Sequence, residues 1–574
     1  MIVRAMRKTF ALLFAVILFA YPLSAQKRAR VTILSTTDLH GNILPVDYYT
    51  NKPDNRGLAK VAAIIKQVRK EDPNLILLDS GDTIQGTPLA YYHNKKNNTP
   101  PDPMMLAMNA LGYDAMAVGN HEYNFGLDVL NKARREAKFP WLSANTYKVG
   151  TNETYYQPYI VKEANGVRIG ILGLTTAGVP NWENKPNYAG LEFRAPIDEA
   201  RKWVGVLRSK EKADVVIIAM HMGLEEDLRT GEASPGQVAH ENEALAIART
   251  VPGVDVILMG HTHREISALV IPQKPRVAAR VVRGGLQEMI DESAFVLLTQ
   301  ANYWGKHLAR VDIYLQHRGT IENSTGNWSV VGKQARTIPL DDKVQPDAEI
   351  VALAKPYDEE TQSYLSKVIG QSSAELTAGD ARFRDNALLD LIQRVQLEAG
   401  KGDVSMVAPF NLQARVAAGP VTVRDIAGLY IYENTLVTLE VTGAQLKDAL
   451  EHSARFFKPY EPGKTPAELV DDKIPSFNFD LAEGVDYTLD ITKPYGSRIT
   501  NLTFKGQPLD PKRKLRLVTN NYRVNGGGGY TMYKDAPVLY RSSEEIRQLI
   551  IEWLERNGAV PVAATNNWRL ISSP

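Results

Sequence analysis

Five stretches of the chain close an apolar run with the same kind of polar cluster: "VTILSTTDLHGN" (31–42), "LILLDSGD" (75–82), "YDAMAVGNHE" (113–122), "DVVIIAMHMG" (214–223) and "VDVILMGHTH" (254–263). Of the ten histidines in the sequence, five fall here: His40, His121, His221, His261 and His263. Imidazole is a common metal ligand and a carboxylate can bridge two ions, so Asp38, Asp82 and Asn120 in the same clusters complete a plausible donor set. There is no cysteine, which restricts any metal to His, Asp, Glu, Asn or Gln ligands. Asp38 and His40 are two residues apart, as are His261 and His263, so in an extended segment each pair faces one way. Gly81 beside Asp82 lets backbone approach closely, and a single carboxylate there can be shared by two ions. Two ions a few ångströms apart clamp a phosphoryl group, activate water and neutralise charge in an in-line displacement. His121, next to Asn120, is suited to meet the leaving oxygen or a phosphate oxygen. Glu122 is read as structural support.

These clusters need strands that end together. From Val31 to about Val282 the pattern repeats: a β-branched or Leu-rich run, a polar cluster with Gly, then helical periodicity, which reads as α/β. Ligands in open α/β sheets bind beyond the carboxyl ends of the strands, where all five clusters lie. Helices are expected at 57–70 and 198–212, and in a second unit at 384–400. Between the units, 347–370 reads as a charged connecting helix that Lys355-Pro356 breaks or kinks. The expected organisation is a cleaved leader over 1–25, a first domain over 28–338, a linker helix over 339–371 and a second domain over 372–574. Hinge motion is expected about residues 340 to 370.

At 574 residues and 44% hydrophobic content the chain can bury at least two cores. The formal charge is +2, and removing residues 1–25 takes away three bases and no acids, leaving 2 − 3 = −1. No basic aromatic stripe points to a nucleic-acid polymer, so small molecules are the expected partners. Arg4, Arg7 and Lys8 followed by "FALLFAVILFA" and "YPLSA" have the grammar of a secretory leader, and the apolar run is shorter than the roughly 20 residues of a membrane span. The expected location is the periplasm or the extracellular space. Oligomeric state has no signature in the sequence.

In this order on this scaffold, "DLHGN", "SGD", "GNHE", "MHMG" and "GHTH" resemble the calcineurin-like metallophosphoesterases. Nearly the whole mature chain resembles the exported 5′-nucleotidase/2′,3′-cyclic phosphodiesterase family. The resemblance implies an N-terminal metallophosphoesterase β-sandwich flanked by helices (αββα), followed by a C-terminal α/β nucleotide-binding domain. It implies one metal on Asp38, His40, Asp82 and His263, a second on Asp82, Asn120, His221 and His261, and His121 as the catalytic histidine. The donor set suits Zn, Mn, Co or Fe. It further implies that Tyr432 and Tyr522 sandwich the base and that Asn434 contacts it.

Two letters depart from the 5′-nucleotidase branch of that family. That branch has an Asp three residues after the catalytic histidine, where this chain has Asn124, and "GGDGY" where this chain has "GGGGY", with Gly528 in place of the acid. Both are similar to the 2′,3′-cyclic-nucleotide 2′-phosphodiesterase/3′-nucleotidase branch, as is the stretch 477–496. A carboxylate at 528 would repel a substrate carrying phosphate on its 2′ and 3′ oxygens. The resemblance therefore implies hydrolysis of 2′,3′-cyclic nucleotides to 3′-nucleotides and of these to nucleoside and phosphate. The alternatives are a 5′-nucleotidase or UDP-sugar hydrolase with the same metal site, which a substrate panel separates, and a non-catalytic nucleotide-binding surface protein, which metal analysis separates. Arg382 and Arg415 are left between phosphate contact and surface ion pair, and Asn478 and Asp480 have only a weak case as substrate contacts. His93, His240, His307, His317 and His452 have no partner at metal spacing and read as structural or exposed.

Overall fold

The computed structural model describes residues 27–228, 230–232, 238–273, 280–281, 295–317, 328–432 and 434–573. The leader expected over 1–25 lies outside the described residues. Within them no helix is long and apolar enough to cross a membrane.

The apolar runs of the N-terminal unit form two face-to-face sheets. One has six strands in the order Trp328–Pro339, His307–His317, Arg28–Thr36, Ile76–Asp79, Ala115–Ala117 and Trp141–Leu142. The last four of these run parallel, and His307–His317 pairs antiparallel with Arg28–Thr36. The other has seven, with Val167–Thr175, Val215–His221, Val256–Met259 and Phe295–Ala301 parallel at its centre. Strands buried on both faces read as continuous apolar runs, and here one face of each sheet meets the other sheet through Ile33, Leu78, Ile171, Ile217 and Leu258. The outer faces are covered by helices. Leu58–Glu71 buries Leu58, Val61, Ala62, Ile65 and Val68 on one side of the sandwich. On the other side Pro196–Ser209 starts with Pro196, carries Asp198 and Glu199 in its first turn and Arg208 in its last, matching the helix dipole, and buries Ala200, Val204 and Leu207. This is an αββα sandwich.

The C-terminal unit packs Ala387–Gly400 and Ile546–Asn557 against a five-stranded mixed sheet in the order Leu481–Glu483, Val404–Val407, Lys514–Asn520, Thr435–Thr442 and Val538–Glu545. Between the units, the helix Ala348–Leu365 continues through Pro356, so of the break or kink expected at Lys355-Pro356 the break does not occur. Proline leaves the carbonyl of the residue four before it without its helical partner. That residue, Ala352, is exposed, as is Pro356 itself, so water can serve the carbonyl. The opposite face buries Ile350, Ala354, Thr361 and Leu365, and Asp347 caps the first turn by accepting from Ile350 N at 3.2 Å.

The linker helix covers His93, whose ring stands 5.8 Å from that of Tyr357. His93 is buried and neither ring nitrogen has a hydrogen-bond partner among the described residues. Burial, reinforced by the nearby Lys132 charge, depresses its pKa from 6.5 to about 4. The unfolded chain therefore takes up a proton between these values that the folded chain refuses. His93 favours the fold fully above pH 6.5 and progressively less as pH falls towards 4. A shift of this size is worth about 3 kcal/mol. Urea titrations of wild type and His93→Leu are expected to diverge across that window, the variant losing less stability on acidification; parallel curves would show that His93 does not titrate as stated.

Candidate active site at the strand ends

The five polar clusters converge at the carboxyl ends of strands from both sheets. Their backbone is not extended, as the two-residue spacing of Asp38/His40 and His261/His263 had implied. Asp38, His40, Asp82, His261 and His263 have φ values of 50°, 48°, 60°, 72° and 53°. Left-handed backbone is uncommon outside glycine, although Asp and His tolerate it better than most, and it concentrates at functional sites where surrounding structure enforces it. Here the enforcement is a ladder between loops: Asp38 N donates to Gly81 O (2.9 Å), His40 N to Asp82 O (2.8 Å) and Gly41 N to Thr83 O (2.8 Å).

Two triads of donor side chains result. Asp38, His40 and His263 place ligand atoms within 4.8 Å of one another, and so do Asp82, His221 and His261. The triads adjoin: Asp82 Oδ2 is 2.9 Å from His221 Nε2 and 3.9 Å from His40 Nε2, so this one carboxylate faces both groups. His40 Nε2 lies 3.0 Å from His263 Nε2, and His263 Nε2 lies 3.3 Å from Asp38 Oδ1. Backbone carbonyls fix the rings from behind. His40 Nδ1 meets Gln85 O at 3.0 Å and His221 Nδ1 meets Ser80 O at 2.8 Å. A carbonyl only accepts, so both Nδ1 atoms carry a proton and both Nε2 atoms face inward, the orientation a metal ligand needs. His261 Nε2 meets Glu241 Oε1 at 3.1 Å, leaving its Nδ1 for an ion.

The donor set fits divalent metal on a further observation. Asn120 Oδ1 is buried and makes no hydrogen bond among the described residues, although such groups almost always have a partner. Electrostatics agree. Burial drives His40 down to about 4, while the Asp82 carboxylate overrides burial and holds His221 up at about 10. Carboxylates and imidazoles this close call for positive charge among them.

His121 stands beside this cluster. Its N–H donates to Asp82 Oδ1 at 2.8 Å, its ring centroid is 5.2 Å from that of His40, and its Nδ1 lies 2.6 Å from Asn124 Oδ1. Glu122 points away from the cluster and accepts from the backbone N–H groups of Asp82 (2.9 Å), Thr83 (2.5 Å) and Gly119 (2.7 Å), fastening two of the loops together. Gly119 has to be glycine, because a Cβ there would lie 2.2 Å from Asp82 Oδ1.

In the C-terminal unit Tyr432 and Tyr522 both stand edge-on to Phe477, at 6.4 Å and 6.5 Å between centroids with interplanar angles of 76° and 75°. Phe477 was missed as a member of this aromatic group, although the stretch that begins with it carried the signal. Asn434 ties its carbonyl to Ile546 N at 2.9 Å and its amide to Tyr430 Oη at 3.5 Å. Asp480 is taken up by buried Arg523, with contacts of 2.7 and 2.9 Å. Asn478 Oδ1 accepts from Arg523 Nη1 at 3.1 Å. Gly528 has φ +70°, and a Cβ there would lie 2.3 Å from Asn478 Oδ1. Arg415 forms an exposed ion pair with Glu375, and Arg382 lies over the Phe456 ring.

Further neighbours of the histidines were not foreseen. Glu241 holds His261, Trp182 covers its ring at 5.3 Å, and Tyr303 stacks on His263 at 4.9 Å. None of them belongs to a strand-end run, so periodicity carried no signal for them. Trp182 also touches the second unit, since Asn521 Nδ2 donates to Trp182 O at 3.1 Å, one residue before Tyr522.

Residues 31–265 match the model of the calcineurin-like phosphoesterase domain, and residues 368–535 match that of the 5′-nucleotidase C-terminal domain. The 2′,3′-cyclic-nucleotide 2′-phosphodiesterase/3′-nucleotidase of Haemophilus influenzae is 32% identical over 597 residues, covering 94% of this chain and 87% of that protein. The chain belongs to the 5′-nucleotidase/2′,3′-cyclic phosphodiesterase family of metallophosphoesterases. The Salmonella typhimurium protein of the same description is also 32% identical, with 94% of this chain and 88% of that one covered. Among solved structures, a putative 5′-nucleotidase from Staphylococcus aureus in complex with alpha-ketoglutarate superposes with a TM-score of 0.78 at 26% identity, covering 95% of this chain and all of that one. Members of this family are enzymes built on a metallophosphoesterase domain, and the two adjoining triads lie in the part of the chain that matches it.

Proposed function

We propose that this family member hydrolyses 2′,3′-cyclic nucleotides to 3′-nucleotides and then 3′-nucleotides to nucleoside and phosphate, outside the cytoplasm. Asp38, His40, Asp82 and His263 would hold one divalent ion and Asp82, Asn120, His221 and His261 the other. When bound, such a pair supplies an activated water and neutralises charge at phosphorus. The chain's own residues do the rest. Tyr432 and Tyr522 stack the base, Asn434 lies at its edge, and the nucleotide's phosphate reaches the strand ends. The attacking water forms a bond to phosphorus, the bond to the ribose 2′ oxygen breaks, and His121 delivers the proton that this oxygen needs. In the second reaction the 3′ oxygen leaves in the same way.

One observation carries the choice of substrate: position 528 has no carboxylate and has no room for one, because Asn478 occupies the space a side chain would take. An acid there would lie against phosphate on the 2′ and 3′ oxygens, and such like-charge contact costs several kcal/mol. Purified protein reconstituted separately with Mn, Zn, Co and Fe is assayed on 2′,3′-cyclic AMP, 3′-AMP and 5′-AMP. The expected kcat/KM for the first two exceeds that for 5′-AMP by about tenfold or more, equivalent to 1.4 kcal/mol. Efficient hydrolysis of 5′-AMP with little activity on the cyclic substrate would refute the assignment.

A further inference from the structure

Asn124 does not end the chain of contacts that begins at His121. Its Nδ2 donates to Glu183 Oε2 at 2.6 Å. Glu183 is buried, and its other oxygen accepts from Asn184 N at 2.6 Å and Asn187 Nδ2 at 3.0 Å. Among the described residues no Lys or Arg pairs with it. A buried carboxylate satisfied only by amide donors is costly to keep.

We propose that Glu183 is a positioning residue for His121, acting through Asn124. A carboxylate only accepts hydrogen bonds, so the Asn124 amide has to turn its nitrogen towards Glu183 and its oxygen towards His121. An amide oxygen also only accepts, so His121 Nδ1 carries a proton and the ring is held in one orientation with Nε2, the nitrogen that hands a proton to the leaving oxygen, directed away from Asn124. In this way an uncharged residue at 124 performs the orienting task of an acid, with the negative charge one link further out. The same segment is anchored to the substrate-binding unit: Asn184 Nδ2 donates to Thr435 Oγ1 at 3.1 Å, and Trp182 O accepts from Asn521 Nδ2. The ring of His121 is thereby braced by a loop that the second domain touches. The inference rests on the proposed role of His121 in hydrolysis.

The test uses full-length Mn-loaded enzyme and whichever of the three nucleotides wild type turns over best, so an error in the substrate assignment appears in wild type alone. Glu183→Gln lets the amide reverse, and the expected result is a fall in kcat of about 10- to 100-fold, as for other residues that orient a reacting group from behind, with KM and metal content little changed. Asn124→Asp sets two carboxylates against each other and is also expected to lose activity. The double variant Asn124→Asp/Glu183→Gln restores a donor facing an acceptor and is expected to recover most of the kcat lost by Asn124→Asp. Wild-type kcat in Glu183→Gln, or a double variant no better than Asn124→Asp, overturns the proposal and leaves Glu183 as a loop anchor. His121→Ala is run alongside: full activity there refutes the role of His121 itself, a failure distinct from that of the relay.

Discussion

Asp82→Ala is expected to lower turnover on the best substrate by about 10³-fold or more and to reduce the metal bound per chain. The size follows from position. Asp82 Oδ2 faces His221 at 2.9 Å and His40 at 3.9 Å, while Oδ1 accepts the backbone N–H of His121 at 2.8 Å. One carboxylate thus adjoins both donor triads and the proposed catalytic residue. Charge stabilisation by a pair of ions is worth several kcal/mol, and about 1.4 kcal/mol corresponds to each factor of ten in rate. Steady-state kinetics and elemental analysis of the same preparation check both halves. Unchanged activity would remove the metal site from the mechanism, and normal metal content with lost activity would confine Asp82 to placing His121.

Glu122→Ala is expected to cost stability before chemistry, by about 3–5 kcal/mol, since it strands buried N–H donors that now share a charged acceptor. The donors belong to Asp82, Thr83 and Gly119, so the loss falls on the loops that carry the proposed ligands. Burial pushes the Glu122 pKa up and the Asp82 charge adds to the shift, yet the three amides supply what the carboxylate needs to stay in place. Urea unfolding, followed at the transition of the N-terminal unit, measures the effect. Glu122→Gln keeps the shape but turns an N–H group towards other N–H groups, and is expected to fall between wild type and the alanine variant. A midpoint in Glu122→Ala equal to that of wild type would show that the loops are held by other contacts.

Much of the site was legible in the sequence because its signals are local. An apolar run closed by "DLH", "SGD", "GNHE", "MH" or "GHTH" announces a strand and places its polar residues at one end, whatever else the chain does. The helices at 58–71, 196–209 and 387–400 were legible for the same reason, since their buried stripes recur at three-to-four spacing. Pro356 misled because the cost of proline in a helix depends on which way the freed carbonyl faces, and that direction is a property of packing. The two-residue spacing of Asp38 and His40 pointed to a shared ion by way of an extended backbone, whereas the structure brings them together on a left-handed one.

What the sequence by itself determined is the inventory: which residue types are available, their order along the chain, and the strand-end positions that bring them to one edge of an α/β unit. The tertiary structure alone decided how they meet. It distributed the strands over two sheets, placed Asp82 between the triads, set Phe477 beside both tyrosines and stood Glu183 behind Asn124. The physical reason is the same in each case. Hydrophobic periodicity depends on neighbours a few residues away, while a hydrogen bond such as that between Asn124 and Glu183 joins positions 59 residues apart. Only the folded chain makes them neighbours.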